Sequence, residues 1–158
     1  MTEDQDKWFI NEFLNNREFR SQLFAAKGAE RWYAPFLGFK FVGAHGYDWV
    51  DLKTGQKKVE HKHIESTSPS PTASNLNSKI ENPIIVTASS TAIKFPPDSC
   101  LYFKAGELNA LMTANDRKRA SGTGAYTFPN DLTKANGKRR KKLIPFIKTY
   151  DEIRIMYS

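Results

Sequence analysis

Cys100 is the only cysteine in a chain of 158 residues. A single thiol excludes an intramolecular disulfide and any zinc site built from several thiolates, and a free cysteine of this kind is expected in the core. Long apolar runs are also missing. No stretch approaches the roughly eighteen residues that cross a bilayer, so no membrane partner is expected. Met1-Thr2-Glu3-Asp4 is acidic where a secretory signal is basic and then apolar, which leads to the expectation of an intracellular, cytoplasmic protein. There is no Gly-x-x-x-x-Gly-Lys loop, and Ser121-Gly122-Thr123-Gly124 does not replace one, so nucleotide binding is not expected there. His45, His61 and His63 lack the Cys pair or His-Glu-x-x-His spacing that zinc requires.

What is present is ordinary in amount and uneven in placement. Hydrophobic residues at 39% and charged residues at 26% match globular usage, and the length suits one domain over residues 1–158 with one core. The formal net charge is +7. Residues 1–112 hold 13 Lys/Arg against 13 Asp/Glu, whereas residues 113–158 hold 11 against 4 and carry the whole excess. Basic charge gathered in one region is the footprint of a polyanion site, where release of phosphate counterions drives binding.

Apolar spacing of three and four predicts a helix over 3–15, and Asn16 can cap a second stretch through Phe19, Leu23 and Phe24. A further helical segment carries Glu30, Trp32, Tyr33 and Phe36 and ends at Gly38. From Phe39 the period becomes two. Phe39–Val42, a Gly43–Gly46 turn, Tyr47–Leu52, a Lys53–Gln56 turn and Lys57–Glu65 predict successive strands, the last two a hairpin. Residues 66–79 read as a polar surface loop. Strands follow at 83–87, 100–103, 126–128 and 143–148, with a helical turn through Glu107, Leu108, Leu111 and Met112. The expected class is α/β or α+β, with a mixed central sheet flanked by helices.

The chemistry concentrates in Gly46-Tyr47-Asp48-Trp49-Val50 and Val59-Glu60-His61-Lys62-His63. Side chains alternate along a strand, so Glu60 and Lys62 share one face and His61 and His63 the other. Asp48 starts the partner strand, and a twist or bulge could bring its carboxylate to the same point. Asp51 competes with it but adjoins the turn, where a carboxylate is expected to be solvated. Two converging carboxylates form a hard oxygen site suited to Mg²⁺, with Mn²⁺ as a substitute. Such an ion stabilises charge on phosphate and acidifies water, and Lys62 can orient that water or neutralise a phosphorane.

Asp48, eleven residues, then Glu60-His61-Lys62 resembles the PD-(D/E)XK nuclease superfamily, with Tyr47 where the name-giving proline would stand. The resemblance implies a restriction-endonuclease-like core, with Asp48 and Glu60 as metal ligands and Lys62 as the catalytic lysine. It also implies an acidic residue on the helix before the first core strand, for which Glu30 is the candidate. An acidic-x-Lys triplet recurs by chance about once in a chain of this length. The upstream Asp in an apolar strand, the intervening turn and the basic tail are what single this one out.

The function expected is a Mg²⁺-dependent endonuclease of restriction type acting on double-stranded DNA as a homodimer. The alternatives are a junction resolvase of the phage Holliday-junction type and a non-catalytic basic nucleic-acid-binding protein. Arg117, Lys118 and Arg119, and Lys138, Arg139, Arg140, Lys141 and Lys142, are expected on exposed loops as phosphate contacts. Ser66 and Thr67 in the 66–79 loop are candidates for reading base edges.

Overall fold

Between Phe39 and Ile64 the alternation of apolar and polar side chains becomes a meander of three antiparallel strands: β1 (Phe39–Ala44), β2 (Tyr47–Asp51) and β3 (Lys58–Ile64). The register shifts between Phe41 and Ala44 of β1, and Gly46, at φ +90°, takes the left-handed conformation that the turn into β2 requires. The computed structural model describes residues 3–17, 19, 28–65, 70–134 and 136–158. Leu23, Phe24, Ser66 and Thr67 lie outside them.

Strand β5 (Ile84–Ala88) runs parallel to β3, and β6 (Ser99–Phe103) and β8 (Ile147–Thr149) extend the sheet antiparallel, in the order β1-β2-β3-β5-β6-β8. A six-stranded mixed sheet flanked by helices is therefore the fold. β5 is central and buried on both faces, which is why Ile84-Ile85-Val86 reads as an unbroken apolar run.

The sheet separates two apolar layers rather than enclosing the single core expected. Ala34, Phe36 and Leu37 of α2 (Gly28–Leu37) and Ile153 of α6 (Tyr150–Met156) pack with Phe39, Trp49, Val59, Ile85 and Cys100 on one face. On the other, Ile64, Ile84, Val86, Leu101 and Phe103 pack with Leu76, Leu108, Tyr126, Phe128 and Leu143. Helix α1 (Glu3–Asn15) forms over the residues expected, and α2 ends where Gly38 takes φ +94°.

Several expectations fail beyond β3. The segment 66–79 is not simply a surface loop. It contains β4 (Thr72–Ser74), which pairs with β7 (Ala125–Thr127) in a separate two-stranded sheet, and it buries Ala73 and Leu76. Its polar composition hides two apolar anchors that only a distant partner strand makes sense of. The basic segments are helical, with Arg117 and Lys118 on α4 (Ala114–Lys118), after α3 (Glu107–Leu111), and the 138–142 run on α5 (Lys138–Leu143). Thr113 caps α4 through a capping box with Asp116, a local signal that outweighs the turn residues nearby. Residues 143–148 do not form one strand: Leu143 ends α5, Ile144–Phe146 form a 3₁₀ turn and only then does β8 begin. Thr149 and Glu152 cap α6 in the same manner. Among the described residues no helix is long and apolar enough to cross a membrane.

Candidate active site

Trp49 pairs with Val59 and Val50 with Lys58, so one step further along the β2–β3 ladder Asp48 stands across from Glu60. Cross-strand partners share a face. No bulge in this hairpin is needed to bring the two carboxylates together. The ladder ends at that point, and the next main-chain N–H on this edge of β3, that of His61, donates to Asp48 Oδ2 at 2.9 Å. The N–H of Glu60 points to the opposite side of its strand and donates to the carbonyl of Pro83 at 2.9 Å. Asp48 is thus fixed through its side chain and Glu60 through its main chain.

Glu60 is only 5% exposed. A charge so buried requires partners, and it has two: Lys62 Nζ at 3.4 Å and Lys79 Nζ at 3.3 Å, both on Oε1. Among the described residues neither Glu60 Oε2 nor Asp48 Oδ1 accepts a hydrogen bond. Burial pushes the Asp48 carboxyl above the ordinary carboxylate range and the charge of Glu60 adds to this. The His61 N–H, Lys62 and Lys79 offset only part of the rise. A carboxylate in that state gains from a cation beside it.

Lys79 was not among the residues the sequence singled out. It lies in the segment read as a loop, where strand alternation says nothing about direction. The one available signal is topological. Because β5 runs parallel to β3 with Glu60 opposite Ile84, the residues just before β5 arrive at the end of β3 that carries Glu60.

Asp51 also differs from expectation. It is 1% exposed rather than solvated, and its carboxylate accepts from the Thr54 hydroxyl and from the N–H groups of Thr54, Gln56 and Lys57. Burial opposes its charge, but the Lys57 N–H, the Thr54 hydroxyl and the other turn donors hold the carboxyl at about 2. Asp51 is occupied in building the turn.

On the reverse face of β3, His61 is 2% exposed and stacks on Trp49 with ring centroids 4.3 Å apart. His61 Nε2 and His63 Nδ1 share the Thr87 hydroxyl at 2.7 and 2.8 Å. Burial lowers both imidazoles, that of His61 well below its ordinary value, so they are neutral at physiological pH. Helix α2 packs on this same reverse face, where the carbonyl of Glu30 accepts from the Trp49 indole at 2.9 Å. Asp48, Glu60 and Lys62 are brought together, while Glu30 belongs to a helix on the other side of the sheet.

The chain matches no protein-family model and none of the curated proteins. The site has therefore to be judged on its donors. Two carboxylates on neighbouring strands are the donor type that Mg²⁺ accepts, with water completing the shell. Among the described residues no group of three or more His, Cys, Asp or Glu side chains gathers to hold an ion.

The basic segments sit on the Glu60 side of the sheet, since Leu143 anchors α5 in that apolar layer. Lys138, Arg139, Lys141 and Lys142 are exposed and Arg140 half-buried, and none has an ion-pair partner among the described residues. Lys138 and Arg139, in a first turn without an acid, oppose the helix dipole, whereas Arg140, Lys141 and Lys142 in the last turn complement it, and the five consecutive cations repel one another. A bound polyanion would relieve that repulsion. Arg117 and Arg119 differ, being tied to Asn109 and to Thr127 and Asp116, with Lys118 exposed between them.

Proposed function

We propose that this protein is a Mg²⁺-dependent endodeoxyribonuclease with a restriction-endonuclease-like core. The observation that carries the reading is the opposition of Asp48 and Glu60 on one face, each with an oxygen that accepts no hydrogen bond among the described residues, beside the Lys62 ammonium. In this reading Asp48 and Glu60 hold the ion, which when bound supplies positive charge at the scissile phosphate. Lys62 orients the attacking water and stabilises charge gathering on the phosphoryl oxygens. The water oxygen bonds to phosphorus and one P–O ester bond breaks. One fragment keeps a phosphate monoester, and the other leaves as an alcohol that takes up a proton. The cations of α5 hold the duplex through its phosphates, and two copies of the chain, one for each strand, complete a double-strand cut.

A second reading has its own observation. Glu60 bracketed by Lys62 and Lys79 is also what a purely structural buried ion cluster looks like, within a non-catalytic nucleic-acid-binding protein. Plasmid cleavage with and without Mg²⁺ separates the two. The nuclease reading expects nicking or linearisation by the wild type and a loss of at least about 100-fold in Glu60→Ala and Lys62→Ala, with duplex binding retained. Equal cutting by wild type and both variants overturns the mechanism, and an inert wild type that still binds duplex favours the second reading.

A further inference from the structure

Lys79 and Lys62 converge on the same oxygen of Glu60 from different parts of the chain, at 3.3 and 3.4 Å. One ammonium is enough to neutralise Glu60, so the second sets the charge of the whole cluster, Asp48 included. Lys79 is not a surface cation that falls near Glu60 by chance: its side chain is only 14% exposed, less than the 20% of Lys62. Partly desolvating a second ammonium costs stability, so its charge has to be matched within the cluster.

The charge sum indicates the use. Asp48 and Glu60 contribute two negative charges and Lys62 and Lys79 two positive ones, so the four side chains are together neutral. With a divalent cation bound the cluster carries +2. A phosphodiester with neutral water beside it carries one negative charge, and the pentacovalent species formed when the water oxygen adds to phosphorus and releases one proton to solvent carries two. The loaded cluster therefore balances the transition state and overbalances the ground state, which is the arrangement that accelerates a reaction rather than tightening substrate binding. Without Lys79 the loaded cluster would carry +1 and would match the ground state instead.

We propose that Lys79 is a charge-setting positioning residue of this site, acting through Glu60 to tune the metal-loaded centre to a dianionic phosphorane. The proposal rests on the nuclease reading. It adds a consequence that a merely structural lysine would not have: Lys79 helps catalysis while opposing the metal.

The test compares wild type, Lys79→Met, which keeps the apolar stem, and Lys79→Arg. Mg²⁺ affinity is read from calorimetric titration, and kcat and KM from plasmid cleavage at saturating Mg²⁺. Lys79→Met is expected to lose about 100-fold in kcat with KM for DNA nearly unchanged, and to bind Mg²⁺ about ten-fold more tightly because a nearby cation is gone. Lys79→Arg is expected to restore kcat. Should Lys79→Met fail to fold, Lys79→Gln carries the same comparison. A Lys79→Met protein with wild-type kcat, or one that binds Mg²⁺ more weakly, overturns the role of Lys79 and leaves the nuclease reading in place. A wild type with neither Mg²⁺-dependent cleavage nor Mg²⁺ binding overturns both.

Discussion

Asp48 accepts the main-chain N–H of His61 at 2.9 Å, so the first candidate ligand is fastened to the strand that bears the second. The bond joins β2 to β3 at the place where their ladder stops, and any movement that separates the strands there also separates the two carboxylates. Fold and site thus meet in one hydrogen bond.

Asp48 and Asp51, three residues apart on one strand, should respond to acid with opposite signs. Asp48 has a raised folded-state pKa, so its ionisation costs stability, and that cost appears as pH rises through the folded value. In metal-free buffer Asp48→Asn, whose amide oxygen still accepts from His61, is expected to melt at or above the wild-type temperature at pH 7. The difference should vanish below about pH 3.8. Asp51 is held at about 2, so it contributes stability that is present above the unfolded value and lost as pH falls through the folded one. Asp51→Asn should therefore melt well below wild type at pH 7, and the gap should close toward pH 2. Thermal melts from pH 2 to 7 check both, and parallel pH profiles of the two variants would contradict the assignment.

The Thr87 hydroxyl is the shared partner of His61 and His63 and is 2% exposed. Thr87→Val keeps the shape and removes that partner. His61 Nδ1 already lacks a partner among the described residues, so the substitution leaves His61 with no hydrogen bond from its ring. A buried polar group left unsatisfied costs roughly 1–3 kcal/mol. Urea unfolding of Thr87→Val should show a midpoint lowered accordingly with an unchanged m-value. A midpoint equal to that of wild type would mean that water or rearrangement satisfies the rings.

Neutralising Lys138, Arg139, Lys141 and Lys142 to Gln removes four exposed cations from α5. If each neutralises one phosphate, the slope of log Kobs against log salt for duplex binding should flatten by roughly 3 to 4. The helix itself should gain stability from the loss of like-charge repulsion. Fluorescence anisotropy across a salt series measures the slope, and an unaltered slope would place the phosphate contacts elsewhere.

Much of the first half of the fold was legible because its signals are local. The alternation in Phe39–Val42, Tyr47–Leu52 and Lys57–Glu65, with turn residues between, predicts the three-strand meander, and it also predicts that Glu60 and Lys62 share a face. The chain beyond β3 was less so. Ala73 and Leu76 are buried although their neighbours are Ser, Thr and Asn, because the partner strand β7 lies some fifty residues away. The basic run 138–142 looked like a loop from its flanking Asn-Gly, yet it is helical with its one apolar residue, Leu143, anchored in the core.

Residue order by itself determined which side chains alternate, where the chain turns and where positive charge collects, since these properties act over a few neighbours. Tertiary structure decided what the carboxylates face. The β2–β3 register sets Asp48 against Glu60, the hairpin turn encloses Asp51, and the parallel pairing of β3 with β5 delivers Lys79 to Glu60. Parallel strands are joined through long connections, so the residue such a connection brings to a site bears no fixed spacing to the site's other members.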